Sequence, residues 1–269
     1  MLGKLMKYEI KATQRIFLPL YGLILVFALL IKVFMLFNIQ NARGMAIIPF
    51  VITMIIYCVL IAAVCVMTLV VTIQRFNKNL LGDEGYLSFT LPVKVHSHID
   101  SKMIISLMWT VLSLIVSAVS IFILASDNST VSWFGDFWSS IGRYMGKYGF
   151  PAYLIFIEAV ILMVVGSLTG ILQLYASVTV GNLSSKHKLL AGFGTFIGFS
   201  VIEQIVGSVF VNTAVEMEKQ GLLAEKIDEV SSMWDVAAGL GEIILIVAIF
   251  GIAFYFLTHW LLSKKLNLE

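Results

Sequence analysis

Four ionisable residues, Lys32, Glu158, Glu203 and Glu242, fall inside long apolar runs. A charge at mid-bilayer costs at least about 2.5 kcal/mol unless it is paired or hydrated. Three carboxyls and one ammonium in such runs therefore point to a translocation pathway, a polar outer vestibule, or an ion pair between Lys32 and one of the acids. The plainer alternative leaves Glu158 and Glu242 at the membrane interface and submerges Glu203 alone. His96, His98 and Asp100 alternate as metal ligands can, but three donors on an exposed loop without a fourth read as solvated side chains, and no metal is expected. Catalytic signatures are missing. Gly3-Lys4 and Gly146-Lys147 are followed by Leu5 and Tyr148, so no G-x-x-x-x-G-K-[ST] phosphate loop is present. There is no H-E-x-x-H, and Gly166-Ser167-Leu168-Thr169-Gly170 carries its serine one place early for a nucleophile elbow. The chain is not expected to be an enzyme or to bind a cofactor directly.

The elements that position these residues follow from composition. Of 269 residues 59% are hydrophobic and 13% charged, and the mean hydropathy is +0.97. A soluble domain is about 25% charged, so this chain cannot cover a globular surface and belongs in a bilayer. Apolar runs of spanning length predict an all-α polytopic membrane protein, one transmembrane domain over residues 1–269, with spans at about 16–38, 46–74, 103–125, 151–180, 190–212 and 239–261. Spans two and four are near 30 residues and must tilt or project into water. With the N-terminus inside, the inner segments hold twelve basic residues and the outer segments five (Arg43, Arg143, Lys147, Lys219 and Lys226). The positive-inside rule then places both termini in the cytoplasm of a multi-pass cell-membrane protein.

Before the first span, Lys4, Lys7, Lys11 and Arg15 recur every three to four residues opposite Leu2, Leu5, Met6 and Ile10, which predicts a short interfacial helix over 1–15 on anionic lipid. Residues 131–150 carry Trp133, Phe134, Phe137, Trp138, Tyr144 and Tyr148, an aromatic belt interrupted by glycines and lying on the outer surface. The acid-rich stretch 213–238 reads as an amphipathic extracellular helix before the last span. Gly166 with Gly170, and Gly194 with Gly198, have the four-residue spacing that suits close helix contacts in lipid. Cys58 and Cys65, about 10 Å apart along one helix face, are too distant for a disulfide and read as packing residues. The charge of +2 is spread over short loops and gives no nucleic-acid footprint.

The most informative stretch is the inner loop Arg75 to Lys102. Leu80, Leu81, Leu87, Phe89 and Leu91 are apolar within a charged segment, which marks a protein-docking surface. Gly82, Gly85 and Pro92 bracket a short helix or turn that starts with Asp83 and Glu84, where the helix dipole favours acids. At Glu84, Gly85, Leu87, Leu91, Pro92, Val93 and Lys102 the chain resembles the membrane subunits of type-2 ABC exporters, permeases that pair with a separate ATPase; Tyr86 departs from that pattern, which often has Thr. The likeness extends to the six-span layout, the N-terminal interfacial helix and the extra helical material between spans five and six.

The resemblance implies that Asp83, Glu84, Gly85, Tyr86, Leu87, Phe89, Leu91, Pro92 and Val93 form a coupling helix against the ATPase. A second contact would come from the inner loop Gly181 to Lys188, through Ser185, Lys186 and His187. It implies a homodimer with two ATPase copies, ATP and Mg on that partner, and outward movement of a hydrophobic or amphipathic substrate, with a peptide as first expectation and lipid-linked or drug-like molecules open. The rival from another class is an ion-gradient-driven transporter or channel using Lys32, Glu158 and Glu203. That reading predicts Gly/Pro-broken spans at matching places, whereas Pro19, Pro49, Pro92 and Pro151 all lie away from span centres. A third reading, a non-transporting membrane scaffold, has no need of an apolar docking loop.

Overall fold

In a computed structural model the described residues are 2–41, 44–82, 95–126, 128–184, 186–219 and 229–264. They form seven α-helices and no strand. In chain order these are α1 (Leu2–Leu36), α2 (Ile48–Phe76), α3 (Val95–Ala125), α4 (Asn128–Tyr148), α5 (Phe150–Gly181), α6 (Lys188–Lys219) and α7 (Glu229–Lys264). Among the described residues six stretches are long and apolar enough to cross a membrane: Leu5–Leu36, Gly44–Leu81, Val95–Ala125, Phe150–Gly181, Lys188–Phe210 and Met233–Ser263. The protein is a polytopic membrane protein.

Helix ends follow local chemistry. Asn38 takes a left-handed φ of 55° just past α1, a conformation Asn tolerates at helix C-termini. Gly149, at φ 62°, separates α4 from α5, and Pro151 follows in the first turn of α5, where its missing N–H would have had no helical partner. Pro49 holds the same position in α2.

Three differences from the sequence expectation share one cause. The interfacial segment 1–15 and the first span are one continuous helix, α1, with Pro19 inside it. Gly135, Gly142 and Gly146 do not interrupt α4. Besides spans two and four, α1, α3, α6 and α7 also exceed 30 residues. Hydropathy windows detect where a segment is apolar, whereas backbone hydrogen bonding propagates a helix into polar flanks once it is nucleated. The described parts of 213–238 are the end of α6 and the start of α7; residues 220–228, the middle of the expected extracellular helix, lie outside the described residues, as does Arg43.

The chain divides into two compact units, Met1–Phe76 with His96–Phe137, and Asn77–Val95 with Trp138–Glu269. In the first, α1, α2 and α3 bury Phe17, Tyr21, Ile24, Ala28, Ile31, Tyr57, Val64 and Trp109. In the second, α5 packs on both α6 and α7. Its closest approaches are at glycines the sequence did not nominate. A Cβ on Gly181 would stand 2.6 Å from the Gly192 backbone, and one on Gly251 would meet the Thr169 hydroxyl at 2.7 Å. Gly166, Gly170, Gly194 and Gly198 have open space where a Cβ would go, so within this chain they are not contact glycines. Four-residue spacing gives a smooth helix face, but only the crossing point decides which glycine touches a neighbour.

Gly181→Ala should therefore lower stability by about 1–3 kcal/mol, because backbone must move to admit the methyl group. Gly194→Ala should stay within about 0.5 kcal/mol of wild type. Thermal unfolding of the two variants in one detergent checks the difference.

Candidate functional site

The roots of the expected docking loop are held by buried polar contacts. Within the first unit Lys102 Nζ donates to Glu9 Oε1, and Arg75 Nη1 stands 3.9 Å from Glu9 Oε2. The Lys102 side chain is 5% exposed and that of Glu9 13%. Lys102, read from sequence as an inner-side cation at the start of span three, is thus a buried ion-pair partner. A void of about 10 Å³ beside the pair, lined in part by Thr13, Thr72 and Ser106, leaves room for about one water.

From this pair a line of hydrogen bonds runs along α3. Trp109 Nε1 donates to Thr13 Oγ1 at 2.8 Å. Ser113 Oγ is 2.7 Å from the Tyr21 hydroxyl and 3.1 Å from Thr68 Oγ1. The Ser120 and Tyr57 hydroxyls are 2.9 Å apart. Lys102, Trp109, Ser113 and Ser120 are spaced seven, four and seven, which keeps them on one helix face. Phe17 stacks on Trp109 with centroids 4.6 Å apart. At the far end Lys32 donates to the carbonyls of Leu124 at 3.4 Å and Ser126 at 2.9 Å. A cation there offsets the negative end of the α3 dipole. Lys32 thus closes a helix terminus in the first unit, whereas Glu158, Glu203 and Glu242 belong to the second.

His98 is another correction. His96, His98 and Asp100 sit on the first turns of α3, not on a loop, and His98 is buried. No cluster of three or more potential metal ligands occurs among the described residues.

In the second unit α2 is continued by a π-helical turn, Asn77–Leu81, closed by Gly82 N–H donating to the Asn77 carbonyl at 2.8 Å. Leu80 and Leu81, expected to be exposed for docking, are 0% and 9% exposed. The helical turn points them inward, so they anchor the loop. Asp83, Glu84, Gly85, Tyr86, Leu87, Phe89, Leu91, Pro92 and Val93 lie outside the described residues, as does Ser185. Lys186 and His187 are exposed, and Leu189, Leu190 and Phe193 at the start of α6 are strongly exposed beside them. The two loops expected on the inner side meet at their roots: Asn182 Nδ2 donates to Asn77 Oδ1 at 3.2 Å and to the Val178 carbonyl at 2.9 Å.

The second unit also holds a cavity of about 470 Å³ between α5, α6 and α7. Gly166, Gly170 and Gly207 give it width; Phe210, Ile246 and Phe250 supply apolar wall; Glu203 is the one charged residue among the described lining residues. Glu158 is half-buried, its Oε1 placed 3.5 Å from where a Cβ on Gly241 would be, and its Oε2 lacks a hydrogen-bond partner among the described residues. Glu242 is exposed. Glu203 alone of the three acids lines the cavity.

Sequence reasoning missed Glu9 and the α3 stripe. The signal for Glu9 was present: it is the single acid in a segment otherwise carrying Lys4, Lys7, Lys11 and Arg15. The signal for the stripe was the seven-four-seven spacing of Lys102, Trp109, Ser113 and Ser120. Comparison with family models, curated proteins and solved structures finds no match.

Removing one partner of a buried pair leaves an uncompensated charge. Lys102→Met should destabilise the protein by about 3 kcal/mol, and Lys102→Met with Glu9→Met should recover most of that loss. Arg75→Gln, at the longer and more exposed contact, should cost under about 1 kcal/mol. A double-mutant cycle on thermal unfolding in detergent measures all three.

Proposed function

We propose that this chain is the membrane subunit of an ATP-driven exporter resembling the type-2 ABC permeases. It would homodimerise, bind two copies of a separate ATPase through the loop between α2 and α3, and move a hydrophobic or amphipathic substrate, first among them a peptide, outward. The observation that carries the reading is the Asn77–Asn182 contact. The two loops nominated as partner contacts are 105 residues apart in sequence, yet they leave the membrane helices at one shared point. A single docked partner would then meet both. Exposed Leu189, Leu190 and Phe193 beside Lys186 and His187 add apolar surface at that place, as docking surfaces require.

The anchoring suits transmission of force. Leu80 and Leu81 fix the start of the loop, and the Glu9–Lys102 pair fixes the helix on its far side. Rigid-body movement of a docked partner would reach the helices through these anchored ends. ATP and Mg would sit on the partner, since the chain has no phosphate loop of its own. The ion-gradient alternative draws on Glu203 and Glu158 inside spans, and it has no use for two loops joined at their roots.

Purification of the tagged chain from its native membrane should bring down an ATPase in stoichiometric amount. Glu84→Ala or Leu91→Asp should abolish substrate-stimulated hydrolysis in that complex while leaving the elution profile of the membrane subunit unchanged. Normal stimulated turnover in both variants would remove the coupling assignment, and a chain that purifies alone would favour the gradient-driven reading.

A further inference from the structure

We propose that the cavity between α5, α6 and α7 of a single protomer is a binding site for hydrophobic cations, with Glu203 as the counter-charge. Its use as the substrate site rests on the export reading above; the binding site itself does not.

Three observations converge on that ligand class. The first is space. A volume of about 470 Å³ accommodates a drug-sized molecule. It is kept open by Gly166, Gly170 and Gly207, and a Cβ on any of the three would meet nothing within 4 Å. Glycines in a membrane helix usually admit a neighbouring helix; these admit empty volume. The second is polarity. Thr169 Oγ1 donates to the Val247 carbonyl at 3.1 Å, and Gln173 Nε2 donates to Ser200 Oγ at 2.9 Å. The Thr169 hydroxyl proton and one of the two Gln173 amide protons are therefore committed to the protein. The third is charge. Glu203 lines the cavity, and no Lys, Arg or His does so among the described residues. A carboxylate in an apolar chamber within a span demands compensation, and no cation lines the chamber among the described residues. A guest carrying a positive charge on an apolar body satisfies both the wall and the carboxylate. An anionic guest of the same shape would face Glu203 with like charge, so the site discriminates by repulsion as well as by attraction.

The test uses the full chain in phosphatidylcholine nanodiscs, with tetraphenylphosphonium as the cation and tetraphenylborate as its near-isosteric anion, measured by equilibrium dialysis against empty nanodiscs. Tetraphenylphosphonium should bind saturably above the empty-disc background, and tetraphenylborate should neither bind saturably nor displace it. Glu203→Gln should weaken binding about tenfold or more. Gly170→Leu, whose side chain enters the open volume, should abolish binding, and Asp235→Asn, exposed and away from the cavity, should leave it unchanged. No saturable cation binding by wild type, equal displacement by the anion, or unchanged affinity in Glu203→Gln would each overturn the proposal. The wild-type cation-against-anion comparison and Gly170→Leu decide the matter if Glu203→Gln fails to insert. Because these measurements need no ATPase, a chain that binds the cation but purifies without a partner loses the export reading and keeps the site. A chain that brings down its ATPase but binds no cation loses the site and keeps the reading.

Discussion

Lipid gives helices no hydrophobic reason to associate, since acyl chains are as apolar as leucine. What holds α1, α2 and α3 together must then be packing and hydrogen bonding, and the line of contacts on α3 supplies both. Glu9–Lys102, Thr13–Trp109, Tyr21–Ser113–Thr68 and Tyr57–Ser120 fix rotation and height of the three helices at once. Hydroxyl and indole groups that would be costly against lipid are spent on each other. A helix rotated away from this register would expose several of them together, so the stripe selects one arrangement.

The two units solve the same problem differently. The first uses polar side chains and an aromatic stack at Phe17 and Trp109. The second brings backbones into contact at Gly181 and Gly192, where no side chain intervenes, and seats the Thr169 side chain against Gly251. Away from those tight points the α5, α6 and α7 surfaces part around Gly166, Gly170 and Gly207. Close contact at some points and open volume at others are parts of one geometry: helices that touch where glycine is opposed by glycine or threonine diverge where it is not.

Composition and apolar run length made the membrane class and the six spans legible, because a 20-residue apolar requirement is a strong filter. Run length could not give helix ends, as α1 shows by passing through Lys4 to Arg15 without a break. Exposure was legible only where the secondary structure was known. Leu80 and Leu81 looked like docking residues beside Asp83 and Glu84, but a π-helical continuation of α2 turned them inward. The acids were legible as costly residues, and sequence offered both a shared vestibule and Glu203 submerged alone without deciding between them; in the structure Glu203 lines a cavity and Glu242 is exposed. Partner choice is a matter of three-dimensional register, and register was hidden for Lys32 as well: it closes the end of α3, a role that any nearby helix terminus could have offered.

Lys102 shows how the buried stripe and the loop depend on each other. Its position seven residues before Trp109 puts its ammonium at the end of the α3 stripe, and its pairing with Glu9 ties the chain just beyond the loop to α1. A solvent-exposed pair would be screened and would yield to modest force. A pair buried to this degree cannot separate without leaving a bare charge, so α1 and α3 are tied firmly at this point. At the other root, Asn77 hydrogen-bonds Asn182 across a sequence gap, and Leu80 and Leu81, which follow it in the chain, are buried. The described chain on the two sides of residues 83–94 is thus held by charge at one end and by amide and leucine at the other.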